Sequence, residues 1–209
     1  MGMRPEEIER ASMAIIEREM GEWTGPEENL PVLKRVIHTT ADFDFVRTLL
    51  FSPDAVRLGR EALRRGVTVV TDTAMAAAGV SKPAAARWGV SVVCRMGDPD
   101  VREEAVQRGV TRALVSMERA AAETPDAIFA IGNAPTALIR LCELVREGRA
   151  CPSLVVGVPV GFVNVVESKE MLAATDVPHI AAMGRKGGSP VASAIVNALL
   201  YGMEDGAKS

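Results

Sequence analysis

Apolar and polar positions follow two rhythms along this chain: short runs rich in β-branched residues, and longer stretches with apolar residues at helical spacing. The opening segment predicts a helix. Pro5 suits its first turn, Glu6 and Glu7 suit the positive end of its dipole, and Ile8, Ala11, Ile15 and Ile16 share one face. Ser12 lies on that face, so its hydroxyl needs a partner, either a carbonyl of its own helix or a ligand. After a turn-rich passage over 21–31, residues 32–37 read as a short strand ending in His38-Thr39-Thr40-Ala41-Asp42, and a helix over 53–65 stops at Gly66. Strands and helices then alternate. Residues 67–70 lead to Thr71-Asp72-Thr73 and a helical stretch of small residues, 74–79. Residues 91–94 precede Asp98-Pro99 and one long helical pattern to about Ala122. Residues 127–131 lead to Gly132-Asn133-Ala134-Pro135-Thr136 and a helix over 137–146. Residues 154–158 lead to Pro159-Val160-Gly161-Phe162 and a helix over 167–174. Residues 179–183 lead to Gly184-Arg185-Lys186-Gly187-Gly188-Ser189 and a last helix over 191–201.

This alternation predicts an α/β fold with a mostly parallel sheet and helices on both faces, a Rossmann-like three-layer sandwich. The length, 209 residues, suits one such domain, with its core over about 4–202 and a polar, frayed tail from 203 to 209. In such folds ligands bind beyond the carboxyl ends of the strands. His38, Thr71, Asp72, Asn133 and the 184–189 segment all fall at those predicted ends.

Composition narrows the choice of function. Aromatic residues are 4% of the chain and the net charge is −3, so neither base stacking nor a global positive field favours a nucleic acid. An acidic ligand must instead meet a local cluster of donors. The three cysteines, Cys94, Cys142 and Cys151, are odd in number and form no CxxC, which predicts reduced thiols in a cytoplasmic protein and no zinc site. The charged N-terminus does not read as a secretory signal, and no apolar run approaches the roughly 20 residues needed to span a bilayer.

Few residues are suited to chemistry. His38 is one of two histidines and sits among the hydroxyls of Thr39 and Thr40. An imidazole can give or take a proton near neutrality. His179, after Pro178, reads as structural. Thr71-Asp72-Thr73 offers two hydroxyls and a carboxylate, either for a ligand or as a helix cap. Asp42 and Asp44 flank Phe43, where they can orient a histidine; with one histidine they make a weak metal signal. At the Gly132-Asn133 corner, backbone amides are expected to face a ligand's oxygens. The 184–189 segment, with Arg185, Lys186, three glycines and Ser189, is either a local anion site or a solvated loop. The dinucleotide and phosphate fingerprints G-x-G-x-x-G and G-x-x-x-x-G-K-[ST] are absent, as are G-x-S-x-G and H-E-x-x-H.

Taken in order, five segments resemble the precorrin-8X methylmutase family, also known in its cobalt-precorrin-8 form. They are Arg35-Val36-Ile37-His38-Thr39-Thr40-Ala41-Asp42, Val70-Thr71-Asp72-Thr73, Ala130-Ile131-Gly132-Asn133-Ala134-Pro135-Thr136-Ala137-Leu138, Val158-Pro159-Val160-Gly161-Phe162-Val163 with Glu167-Ser168-Lys169, and Gly184-Arg185-Lys186-Gly187-Gly188-Ser189. The resemblance runs from about Arg4 to Gly202. It implies a cytoplasmic homodimer that moves a methyl group from C-11 to C-12 of a corrin ring by a [1,5]-sigmatropic shift. It implies His38 as the catalytic residue, and substrate contacts from Ser12, Thr39, Thr71, Asp72, Arg112, Asn133, Arg185, Lys186, Gly187, Gly188 and Ser189. No cofactor and no metal ligand set is implied. Two other readings fit the residues alone: a non-catalytic tetrapyrrole carrier that would not need His38, and a phosphate-ester enzyme on a doubly wound sheet.

Overall fold

The protein, described over residues 4–205 in a computed structural model, opens with α1 (Pro5–Glu19) and α2 (Leu30–Thr40), joined through a 3-10 turn at Glu27–Asn29. A single helical turn, α3 (Phe45–Thr48), leads into β1 (Leu49–Phe51) and α4 (Ala55–Arg64). The chain continues through β2 (Val69–Thr71), α5 (Ala74–Gly79), α6 (Lys82–Arg87), β3 (Val92–Val93), α7 (Pro99–Arg108) and α8 (Arg112–Glu123). It ends with β4 (Ile128–Ile131), α9 (Pro135–Arg146), β5 (Leu154–Gly157), α10 (Val165–Ala173), β6 (His179–Ala182) and α11 (Ser189–Asp205).

The six strands form one sheet in the order β1-β6-β5-β4-β2-β3. Every pair is parallel except β1 with β6, where Leu49 lies opposite Ala182 and Phe51 opposite Ile180. The inner strands are buried on both faces, which is why they read as continuous apolar runs. Their residues nevertheless divide by the two-residue period. Val69, Ile128, Ala130, Leu154, Val156, Ile180 and Ala182 join the core built with α2, α4 and α11. Val70, Phe129, Ile131, Val155 and Ala181 join the core built with α8 and α9. The result is a three-layer sandwich.

Chain order reverses direction between β2 and β4. From β2 the chain steps outward to the edge strand β3, then returns to the other side of β2 as β4. At such a reversal the loops leaving two neighbouring strands diverge to opposite faces and open a crevice at the strand carboxyl ends.

Three expectations need correction. Residues 32–37 belong to the helix α2. Val32, Leu33, Val36 and Ile37 are buried at helical spacing, Pro31 occupies the first turn, and Thr39 and Thr40 return their hydroxyls to the carbonyls of Arg35 (2.9 Å) and Val36 (2.8 Å). His38 therefore sits in the last turn of a helix, not at a strand end. The long helical pattern after Pro99 is two helices, because Gly109 takes a left-handed conformation (φ 63°) that ends α7 and Thr111 caps α8 through the Leu114 amide at 3.2 Å. On α1, Ile16 is buried, but Ile8 and Ile15 are exposed. Helix α11 continues to Asp205, while residues 1–3 and 206–209, including most of the expected frayed tail, lie outside the described residues. Among the described residues no helix is long and apolar enough to cross a membrane.

Candidate active site

At the carboxyl ends of β2 and β4, where such a crevice is expected, Asp72 ties the two strand ends together. Only 1% exposed, its carboxylate accepts hydrogen bonds from the amides of Gly132 (2.9 Å), Asn133 (2.7 Å) and Ala134 (2.7 Å). Burial pushes this carboxyl above the ordinary carboxylate range, and the three amides pull it back. The corner amides expected to face a ligand are thus already engaged, and Asp72 itself points into the protein. Asn133 instead offers its exposed side chain. Thr71 is fully buried, donating to the carbonyl of Thr73 at 3.0 Å.

Across the crevice, the loop leaving β6 packs main chain against main chain. The Thr73 and Ser189 hydroxyls share a hydrogen bond of 2.8 Å, and Thr73 also caps α5 by accepting from the Ala76 amide at 3.0 Å. The Gly188 amide donates to the Val158 carbonyl at 2.9 Å. Gly187 holds φ 154°, and a Cβ there would lie 2.1 Å from that same carbonyl oxygen. A Cβ on Gly132 would lie 2.7 Å from both Cα and N of Ser189. Glycine at these positions permits an approach that no other residue allows.

The same loop is anchored on both flanks. From inside, Lys169 of α10 is 0% exposed and donates to the carbonyls of Gly184 and Lys186, both at 2.8 Å. Burial lowers its pKa from the ordinary 10.5 to about 8. From outside, the Lys186 ammonium reaches the turn after α2 and meets Asp42 at 2.5 Å and Asp44 at 2.7 Å. Lys186 holds both carboxyls below the usual carboxylate range, and they in turn raise the Lys186 pKa. Arg185 lies over the Phe162 ring, 5.5 Å from its centroid.

These contacts place His38. Arg35 of α2 lies over the ring of Tyr201, late in α11, and Asp42 just beyond α2 meets Lys186 just before α11. The two helices therefore run antiparallel, and the carboxyl end of α2 comes to the same rim as the 184–189 loop. His38 is exposed there. Thr39 is also exposed. Ser12 donates to the Ile8 carbonyl at 2.9 Å, the within-helix alternative, and nothing joins it to the crevice. Arg112, exposed at the start of α8, is brought toward the start of α9 by a 3.0 Å hydrogen bond between Thr111 and Thr136.

Several neighbours of this rim carried a weaker sequence signal. Val160, Phe162 and Val163 follow β5 and are 46%, 80% and 76% exposed; Met75 at the start of α5 is 67% exposed. Apolar residues inside a Gly- and Pro-bearing loop, where no core explains them, were the available clue. Lys169 gave none beyond its place in a resembling segment, because a lysine in a helix ordinarily faces water.

Known proteins share this architecture. The family model described as precorrin-8X methylmutase matches residues 7–202. A cobalt-precorrin-8 methylmutase of Priestia megaterium is 46% identical over 197 residues, covering 94% of this chain and 88% of that protein. A precorrin-8X methylmutase of Pseudomonas aeruginosa is 42% identical over 197 residues, covering 92% of this chain and 93% of that protein. The crystal structure of a precorrin-8x methyl mutase from Thermus thermophilus superposes with a TM-score of 0.87 at 39% identity, covering 95% of this chain and 98% of that one. With its strand-end crevice, exposed histidine and glycine-built loop, the chain belongs to the precorrin-8X methylmutase family.

Proposed function

We propose that the chain is an isomerase that moves a methyl group from C-11 to C-12 of precorrin-8X or its cobalt form, giving hydrogenobyrinic or cobyrinic acid. The observation that carries this reading is an imidazole, His38, exposed at the rim where Arg185 and Phe162 also meet the strand-end crevice. In a [1,5]-sigmatropic shift the methyl carries its bonding electrons across the π-system of one molecule, so no external nucleophile and no net electron transfer is required. The protein's part is to bind a broad flat ring and favour its reactive protonation state. His38 protonates or hydrogen-bonds a ring nitrogen, making the conjugated system a better acceptor for the migrating group. Phe162, Val160, Val163 and Met75 supply apolar area for the ring face, and Arg185, Arg112 and the Asn133 side chain meet carboxylates on its edge. The enzyme acts in the cytoplasm as a homodimer.

The test replaces His38 by Ala and follows the spectra after mixing with metal-free and cobalt-bearing precorrin-8. The variant should fold, bind the corrinoid and lose turnover by about 10²–10⁴-fold. Turnover close to wild type would remove His38 from the chemistry. Should the unsubstituted protein shift the spectrum without forming a new product, it would be a carrier.

A further inference from the structure

Lys186 stands in the loop that invites an anion, yet its charge is already committed. Its ammonium touches two carboxylates, Asp42 at 2.5 Å and Asp44 at 2.7 Å. With Arg47 also on Asp44, two positive and two negative charges balance, and the Lys186 ammonium has no spare charge for a substrate carboxylate. Both ends of the contact are fixed. The Lys186 carbonyl is held by the buried Lys169 ammonium, the Arg185 carbonyl accepts from the Gly161 amide at 3.2 Å, and Gly187 lies flush against Val158. On the other side, Asp42 accepts from the Asp44 amide at 2.9 Å through its second oxygen, and Asp44 also takes Arg47 at 2.9 Å. Ala41, in a left-handed conformation (φ 52°), ends α2 immediately before this turn and closes onto the Ile37 carbonyl at 2.7 Å.

We propose that Lys186 is a positioning residue: with Asp42 and Asp44 it forms a strut that sets the carboxyl end of α2, and so His38, against the 184–189 loop. This rests on the assignment of His38 above. It divides the two loop cations by task, Arg185 toward the substrate and Lys186 toward the helix end. Exposed ion pairs contribute little to stability. The strut therefore shows itself in the placement of His38, to which a rate is far more sensitive than folding is.

Three variants test it in steady-state assays with precorrin-8: Lys186→Met, the pair Asp42→Asn with Asp44→Asn, and Lys186→Arg. A strut predicts that the first two lower kcat by a similar factor, about tenfold, with KM within about twofold of wild type. Combining them should do little more than either, because both remove one interaction. Lys186→Arg should restore most of the rate. The proposal is overturned if Lys186→Met raises KM while kcat holds, if the aspartate pair lowers KM by freeing the ammonium for substrate, or if all variants match wild type. His38→Ala in the same assay separates two kinds of failure. If His38→Ala keeps its turnover, the assignment of His38 fails; if it loses turnover while the strut variants do not, the strut alone fails.

Discussion

A lysine ammonium enclosed at Lys169 between two carbonyls, without a carboxylate among its hydrogen-bond partners, has a measurable signature. Its pKa in the folded protein is about 8, against 10.5 when exposed. Between those values the unfolded chain holds the proton more firmly than the folded one. Stability contributed at this position is therefore lowest below pH 8 and rises as pH climbs toward 10.5. Urea unfolding of wild type and Lys169→Met at pH 7 and pH 10 should show the difference moving in favour of wild type by roughly 2 kcal/mol at the higher pH. A gap that stays constant would mean that Lys169 holds its proton as in water, and one that moves the other way that the folded protein holds it more tightly. At this scale sequence reading found the residue types but not their commitments. Asp72, Thr71 and Lys186 all stand beside the crevice, yet their polar atoms are taken by Gly132–Ala134, Thr73 and the Asp42–Asp44 turn. Such pairings lie between residues 60 to 144 positions apart in the case of Asp72 and Lys186, and no local pattern reveals them.

Among the elements, five strands from β2 onward were legible because β-branched runs between Gly and Pro punctuation have few other meanings. The run at 32–37 is ambiguous in sequence, because Lys34 and Arg35 interrupt it in a manner that suits a helix as well as a strand, and Pro31 suits both the end of a turn and the start of α2. Strand β1, three residues long and the antiparallel edge of the sheet, is too short to show a period of its own. Close approach between elements is likewise invisible in a sequence, and the contact between the β4–α9 corner and the start of α11 depends on it. Replacing Gly132 by Ala drives a Cβ into the Ser189 backbone. It should destabilise the protein by about 1–3 kcal/mol in chemical unfolding. Gly97→Ala, where a Cβ meets nothing within 4 Å, should stay within about 0.5 kcal/mol of wild type. Equal stability of the two would show that the corner yields easily.

For the whole molecule, the sandwich followed from strand and helix alternation, and reversal of chain direction in a parallel sheet leaves few places for a ligand. Association did not follow, because a surface shared by two copies has no period along the chain. Ile8 and Ile15, two turns apart on α1, are 52% and 45% exposed and are the apolar pair to test for the proposed homodimer. Sedimentation should give twice the 22.2 kDa mass of the chain, and Ile8→Glu with Ile15→Glu should return it to a single chain. A wild-type monomer at micromolar concentration would overturn this. The glycine contacts at 132 and 187 also bear on how the enzyme can diversify. Where backbone abuts backbone there is no side chain to exchange, so these strand ends are closed to stepwise mutation. If the proposed ring contacts hold, new ring specificities have to enter through the protruding margin at Met75, Val160, Phe162 and Val163, which can change without disturbing what lies underneath.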